Sequence, residues 1–305
     1  MSTVIELLRV KLRKVVGDFG IELECEGQGL KFISDVNWAT VKDGSLRGSF
    51  PSEAAEYVSK LRYVKGAYTS LKVTRNKGHP HISKLFNFYL KDSIIKKSIR
   101  ASTHVHVNIQ HLTHTELCNY IYILILLEDS LLKLSGETRI GNRFCLSSKE
   151  AVGFFDGVNV LFKNRLEEVT LSQDQFKYAV INLATIFRYG TVEIRSLEGC
   201  SDVVRITRWV NLLVALRELS KKYKNPLHVM EDLQDFKKSK IQDIVKKFPE
   251  LLGVGVENDI LYGISYSCNV PYSFKERVEK PTPETAVNAF ERILGKLRLN
   301  EDMVL

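Results

Sequence analysis

Apolar and charged residues alternate along three short stretches of the chain with the period of a β-strand. In Gly20 to Glu26, Ile21, Leu23 and Cys25 fall on one face and Glu22, Glu24 and Glu26 on the other. In Thr103 to Asn108, Val105 and Val107 separate from His104, His106 and Asn108. In Gly190 to Arg195, Val192 and Ile194 separate from Glu193 and Arg195. Residues two apart share a strand face, so each stretch predicts one packed face and one face of carboxylates, imidazoles or a guanidinium. A fourth short segment, Asp43-Gly44-Ser45-Leu46, is also read as a strand, although it carries an Asp-Gly turn signal.

Elsewhere the period changes. Ile5, Leu8, Leu12 and Val15 predict an amphipathic helix over 2–16, closed by Gly17 and Gly20. Lys31 to Ala39 predicts a strand, while Glu53 to Ser59 fits strand or helix equally. Tyr63 to Ile82 is polar with Gly66, Asn76, Gly78 and Pro80, which predicts loop and irregular strand; Ser83 to Lys97 reads as helix. Thr113-x-x-Glu116 has capping-box spacing and opens a helix to about Leu134, closed by Gly136. That helix is apolar nearly all round, which predicts burial across the sheet. Tyr178 to Leu183 and Thr191 to Arg195 predict neighbouring strands joined by a turn at 188–190. Asp202 caps a helix bearing Ile206, Trp209, Leu213 and Leu216. Basic helices follow around 237–247, then a Gly- and Tyr-rich stretch over 252–272. A last helix starts after Pro281, with Thr282 as N-cap and Pro283 at N1.

Composition narrows the picture. With 305 residues, 44% of them hydrophobic, the chain can bury a large core. The apolar run from Tyr120 to Leu127 is too short to cross a bilayer, and Met1 to Val10 lacks a signal-peptide core. No membrane partner is expected. The five cysteines are scattered without a Cys-x-x-Cys pair, which argues against a disulfide framework and for a reducing, cytoplasmic setting. The net charge of +8 favours anionic partners, but basic residues are spread along the whole chain.

The charged strand faces carry the candidate chemistry. Same-face carboxylates such as Glu22 and Glu24 repel unless a cation lies between them, and hard oxygen ligands suit Mg²⁺ or Mn²⁺. Taken alone, Glu-x-Glu is better explained as an ordinary solvated strand edge. Glu26 ranks lower because it adjoins the Gly27-Gln28-Gly29 turn. His104-x-His106 is more specific, pointing to metal or phosphate contact, although taken alone a polar sheet face of satisfied side chains explains it equally well; Asn108 and Gln110 extend the same face. A zinc site would need a third ligand, for which His79, His81, His111 and His114 are the nearby candidates. In Glu193-x-Arg195 the carboxylate suits a cation and the guanidinium suits a phosphoryl or carboxylate oxygen. Walker A and Gly-x-Ser-x-Gly motifs are missing from the sequence.

These pieces, in this order, resemble the amidoligase family, which comprises carboxylate–amine ligases of the glutamine synthetase / glutamate–cysteine ligase superfamily often found in bacteriophages and fungi. The matching elements are Gly20-Ile21-Glu22-Leu23-Glu24, Asp43-Gly44-Ser45-Leu46, Glu56-Tyr57-Val58-Ser59 and His104-Val105-His106-Val107. Lys177-Tyr178 with Asn182-Leu183, Gly190 to Arg195 and the helix with Trp209 complete the set, joined more weakly by Arg143-Phe144-Cys145. The resemblance implies Glu22, Glu24, Glu56, His104 and Glu193 as ligands of Mg²⁺ (or Mn²⁺). It implies His104, His106, Asn182, Tyr178 and Lys177 around ATP, and Arg195, Glu56 and Asp43 as catalytic residues.

The expected fold is α+β: a curved, mostly antiparallel sheet of glutamine synthetase / glutamate–cysteine ligase type, with helices on its convex face. Residues 1–223 would form the catalytic core and 224–305 a mainly helical basic extension packed on it. The expected activity is ATP-dependent amide formation through an acyl phosphate, with small-molecule or peptide carboxylates and amines as substrates. In the phage-encoded case the setting would be the host cytoplasm. The rival readings are a non-catalytic assembly or nucleic-acid-binding protein on the same fold, and a metal-dependent phosphoesterase or nuclease. Nucleic acid is the less favoured partner.

Overall fold

A computed structural model describes residues 2–8, 12–59, 62–64, 67–69 and 78–278. Its strands are β1 (Val15–Val16), β2 (Phe19–Gln28), β3 (Trp38–Val41), β4 (Ala54–Ser59), β5 (Arg62–Val64), β6 (Ala67–Thr69), β7 (Ile94–Lys96), β8 (Ser102–Asn108), β9 (Ile181–Asn182) and β10 (Thr191–Glu198). A seven-stranded sheet runs β3-β4-β2-β8-β10-β9, with β7 also paired to β2, and every pair in it is antiparallel. A small second sheet has the order β1-β6-β5.

The helices are α1 (Val4–Leu7), α2 (Pro80–Lys84), α3 (His114–Leu126), α4 (Glu128–Ser135), α5 (Phe154–Lys163), α6 (Gln173–Phe176), α7 (Thr185–Tyr189), α8 (Val203–Ser220), α9 (Pro226–Gln234), α10 (Gln242–Lys247), α11 (Glu250–Gly253), α12 (Val256–Ser267) and α13 (Asn269–Val278). The architecture is therefore mixed α+β with a mostly antiparallel open sheet. The apolar strand residues Ile21, Leu23, Val105, Val107, Val192 and Ile194 are buried in one continuous core with α3 and α8. Helix α3 is buried on nearly all sides, as its pattern predicts. Its capping box forms, with Thr113 Oγ1 accepting from Glu116 N and Thr113 N donating to Glu116 Oε2. Asn119 donates to the carbonyls of Ser220 and Tyr223 and ties α3 to the end of α8. Beyond residue 223, α9 and α12 pack on α3, and α13 packs on α5 and α9. Among the described residues no helix is long and apolar enough to cross a membrane.

Several elements differ from the sequence reading. The helix expected over 2–16 is reduced, among its described residues, to α1 and the two-residue β1. The amides of Val4 and Ile5, unpaired at the start of any helix, bond to the carbonyls of Leu112 and Gln110 and fix α1 to the loop after β8; the helix stops at Leu8, whose backbone is extended, and Val15–Val16 pairs with β6. The strand expected from Lys31 starts only at Trp38. Asp35 Oδ1 accepts from the amides of Asn37 and Trp38 at 2.7 and 2.6 Å and folds the chain into a tight reversal. Residues 83–97 do not form one helix: α2 ends at Lys84, a wider helical turn covers Leu85–Tyr89, and Ile94–Lys96 joins the sheet. Gly27 permits that pairing, because a Cβ there would lie 2.0 Å from the Ile94 carbonyl oxygen. Residues 43–46 are a turn and not a strand, with Asp43 Oδ1 accepting from Ser45 N at 2.7 Å. The ambiguous 53–59 stretch is strand β4. Of Tyr178 to Leu183 only Ile181–Asn182 pairs as strand, and 185–189 is a short helix closed by Gly190 at φ 68°. The Gly- and Tyr-rich stretch forms α12 and α13. The helix expected after Pro281 lies outside the described residues.

Glu128, fully buried at the start of α4, accepts from Ser148 N and Ser148 Oγ and holds the loop carrying 139–151. Burial pushes its carboxyl up to about 7, against those hydrogen bonds. A carboxyl whose pKa is raised on folding binds more protons folded than unfolded. Stability should therefore fall as pH rises from about 4.5 to about 7, by at most about 3 kcal/mol, and then level off. Glu128→Gln removes this component. Denaturant midpoints of both proteins at pH 5 and 8 should diverge at the higher pH; parallel pH profiles would show that Glu128 does not titrate in this range.

Candidate active site

Strand register assembles the charged residues. In the β2–β8 pair Glu22 faces His104, in β8–β10 His106 faces Glu193, in β2–β4 Glu24 faces Glu56, and in β9–β10 Asn182 faces Glu193. Side chains directly opposite on one face of an antiparallel pair are close enough to interact. Four strands thus bring four carboxylates and two imidazoles into one cluster.

His104 bridges the acids. Its Nδ1 lies 3.3 Å from Glu22 Oε2 and 3.4 Å from Glu193 Oε1, and its Nε2 lies 2.7 Å from Ser102 Oγ. Ser102 Oγ in turn donates to Glu24. His106 Nε2 is 3.2 Å from Glu22 Oε1, and its Nδ1 is 3.1 Å from Thr191 Oγ1. Arg195 donates to Glu193 Oε1 at 2.6 Å, and Asn182 Nδ2 donates to Glu193 Oε2 at 2.7 Å. One ligand atom each from Glu22, His106 and Glu193 lies within 4.8 Å of the others, a spacing that could hold a metal ion.

A bulge aims Arg195. Ile194 pairs with Val105 and Leu197 with Thr103, so Arg195 and Ser196 together oppose the single residue His104. The extra residue lets Leu197 return to the core while Arg195 stays beside the acids. The amide of Arg195 bonds to Val180 O, and its Nε has no hydrogen-bond partner among the described residues.

The electrostatics separate the carboxylates into two kinds. Burial alone would raise the Glu22 carboxyl, but hydrogen bonds from His104 and His106 reverse this and hold it far below the usual carboxylate range. Glu193 is likewise lowered, its burial outweighed by Arg195, His106 and His104. Glu24 goes the other way: burial raises it despite His104 and Ser102. Glu56 is pushed up to about 8 by burial and by the charges of Glu22, Glu24 and Asp43. For His106, burial is outweighed by Glu193 and Glu22, which raise it. A carboxyl that neighbouring acids keep protonated is short of positive charge nearby, and a divalent cation on these hard oxygens would supply it. The donor set therefore fits Mg²⁺ or Mn²⁺.

Three cavities meet at the cluster. One of about 340 Å³ is lined by Glu22, His106, Lys177, Asn182, Arg188, Glu193 and Arg195. Glu24, Asp43, Arg100, Phe144, Tyr178 and Arg195 border a second, of about 350 Å³. The third, about 190 Å³, has a mainly apolar lining that includes Val15, Gly20, Val58 and Tyr189 beside Glu22 and His106.

Every residue read from sequence as catalytic, cofactor-binding or metal-ligating lies in the cluster or on a wall of these cavities. Residues read more loosely fall elsewhere. Asn108 donates to Gly17 O at 2.8 Å, and Gln110 to Arg13 O and Tyr189 O at 3.0 and 3.1 Å. These amides brace the backbone around the site. Glu26 accepts from Arg47 N and is outside the cluster. None of the four candidate third zinc ligands joins it: His79 packs edge-on against Phe19, stacks on His81 and caps α2; His114 bonds to Leu161 O; His111 is exposed. The sequence reading missed Ser102, Thr191, Tyr189 and Arg100. Ser102 sits two residues before His104 and so on the same face, a signal open to the alternation argument. Tyr189 packs edge-on against His106 from a helix that reads as a turn.

No curated protein matches the chain. Residues 90–217, which span β7 through most of α8, match the model of a family described as "putative amidoligase enzyme". The match covers the His104–His106 strand, Asn182, Glu193 and Arg195, while Glu22, Glu24 and Glu56 lie ahead of it and join the site through β2 and β4. Over this central segment the chain is similar to that amidoligase family, the family its strand motifs resemble.

Proposed function

We propose that the protein is an ATP-dependent carboxylate–amine ligase using Mg²⁺ or Mn²⁺. The observation that carries the reading is the Glu22–Glu24–Glu56–His104–His106–Glu193 cluster with Arg195 paired at its edge. Transfer of a γ-phosphoryl group needs positioning and charge neutralisation more than a protein nucleophile. The bound cation would neutralise the polyphosphate charge. Glu22, His106 and Glu193 would hold it, with Glu24, Glu56 and His104 beside them. The mainly apolar cavity next to Glu22 and His106 suits the nucleoside end of ATP. A substrate carboxylate oxygen would attack the γ-phosphorus and ADP would leave. An amine nitrogen would then attack the acyl carbon and release phosphate, with one proton lost from nitrogen. Arg195 would contact the phosphoryl or activated carboxyl oxygens. This reading also carries the glutamine synthetase / glutamate–cysteine ligase fold type and a 1–223 catalytic core.

Phosphate release from ATP and Mg²⁺, screened over pooled carboxylates and amines, tests it. Release that requires both partners is the expected result. Metal-dependent cleavage of phosphodiesters without ATP would point instead to a nuclease, and no turnover with any pool to a scaffold.

The cluster also sets a pH dependence. Below about 8 the Glu56 carboxyl carries a proton that a cation must displace. Mg²⁺ affinity should rise with pH up to about 8 and flatten above it, with proton release visible when calorimetry is repeated in buffers of different ionisation enthalpy. Glu22→Gln should weaken Mg²⁺–ATP binding at every pH with the fold retained. Unchanged affinity in that variant would remove Glu22 from the metal site.

A further inference from the structure

Beside the carboxylate cluster two cavities adjoin at Arg100 and Phe144, and together they form a basic trough. The cavity of about 350 Å³ holding Arg100, Lys177 and Arg195 shares Arg100 and Phe144 with another of about 560 Å³, lined by Arg47, Arg143, Asn142, Glu26 and Glu137. Arg100 and Arg143 lie over the ring of Phe144, with guanidinium carbons 5.3 and 4.9 Å from its centroid. Tyr178 meets the same ring edge-on, and Lys177 lies over Tyr178. Arg100 spends one N–H on Ser45 O at 2.7 Å. Among the described residues Arg47, Arg100, Arg143 and Lys177 take part in no ion pair, unlike Arg195 and Arg205. Guanidiniums stacked on an aromatic face and left without a carboxylate are prepared to receive one, because the stacking fixes the planar fork at little further entropy cost.

We infer that this Arg100–Phe144–Arg143 trough binds the acidic side chains of an extended peptide and delivers one of its carboxylates to Arg195; the donor role rests on the ligase reading. Two features favour a peptide over other anions. The two cavities adjoin at Arg100 and Phe144, so an extended molecule is long enough to place groups in both. Glu24, Asp43, Glu26 and Glu137 also line it. Those acids would repel an unbroken chain of phosphates, whereas a peptide alternates carboxylates with backbone N–H groups that carboxylates accept.

The test measures anisotropy of a fluorescent hexaglutamate peptide on the full chain, without ATP or metal, at low and high salt. Binding that weakens with salt is expected, with a hexaglutamine peptide silent and free glutamate a far weaker competitor. Arg143→Gln should lower affinity about two- to fivefold and Arg100→Gln about tenfold, each flattening the salt dependence. Lys238→Gln, on an exposed lysine paired with Asp235, should change nothing. A thermal melt checks that Arg100→Gln keeps its fold, and the exposed Arg143 carries the test if it does not. The inference is overturned if hexaglutamate does not bind, if Lys238→Gln loses as much as Arg143→Gln, or if glutamate alone competes equally. It is also overturned if oligothymidylate binds at least as tightly, which would make the trough a phosphate-chain site. Binding without phosphate release in any pool would leave the peptide site standing and remove the ligase reading; phosphate release without hexaglutamate binding would do the reverse.

Discussion

Arg195→Lys is expected to lower turnover about a hundredfold while ATP affinity changes little. Arg195 reaches the cluster from the bulge in β10, donates to Glu193 Oε1 at 2.6 Å, and keeps Nε without a hydrogen-bond partner among the described residues. A guanidinium so placed can serve two oxygens at once. Lysine keeps the charge and three donors but loses the planar fork, so it cannot hold Glu193 and the reacting group in the same fixed bidentate geometry. Removing one donor that acts on charge developing in the transition state costs about 10²–10³ in rate. Steady-state kinetics separate the outcomes, because interactions stronger in the transition state alter kcat, while ground-state contacts alter binding. Lost ATP binding with normal turnover at saturation would make Arg195 an anchor for the nucleotide. No change in either would reduce Glu193 and Arg195 to a structural pair.

The second large effect divides adjacent residues of β8. Val105→Ala should cost about 1–3 kcal/mol of stability with turnover retained, because its side chain is fully buried in the core. His104→Ala should cut turnover more than tenfold. Its stability cost should appear mainly in the metal-free protein, where Glu22, Glu24 and Glu193 lose the imidazole lying between them. Saturating Mg²⁺ should reduce that cost by filling the same role. Denaturant curves with and without Mg²⁺, set beside turnover, check both variants. A stable Val105→Ala protein without activity, with a destabilised but active His104→Ala protein, would show that the functional face is the other side of the sheet.

The alternation in β2, β8 and β10 was legible from the chain alone because a strand has a period of two and one of its faces must be apolar. The same holds for the capped, wholly apolar α3 and for the Asp202 cap of α8, whose side chain accepts from Val204 N and Arg205 N. Glu22, Glu24, His104, His106, Glu193 and Arg195 could therefore be assigned to polar faces before any fold was known. Which of them meet is a matter of register, and register depends on residues far apart in sequence. Glu22 pairs with His104 and Glu24 with Glu56 only because β2 lies between β4 and β8. The bulge at Arg195 and Ser196 shows in the pattern only as a one-residue change of phase from Ile194 to Leu197, which does not by itself place the pairing. The diversion of Asn108 and Gln110 to backbone carbonyls of residues 13–17 and 189 leaves no mark in the pattern at all. The N-terminal segment misled for the same reason: its apolar spacing suits a helix, but α1 ends at an extended Leu8 and Val15–Val16 pairs with the distant β6. Arg100 and Phe144, some forty residues apart, become one binding surface only when their loops meet across the mouth of the sheet. Local periodicity determined which side chains face the site; pairing order, bulges and competition for backbone hydrogen bonds, which are long-range, decided what the site is made of.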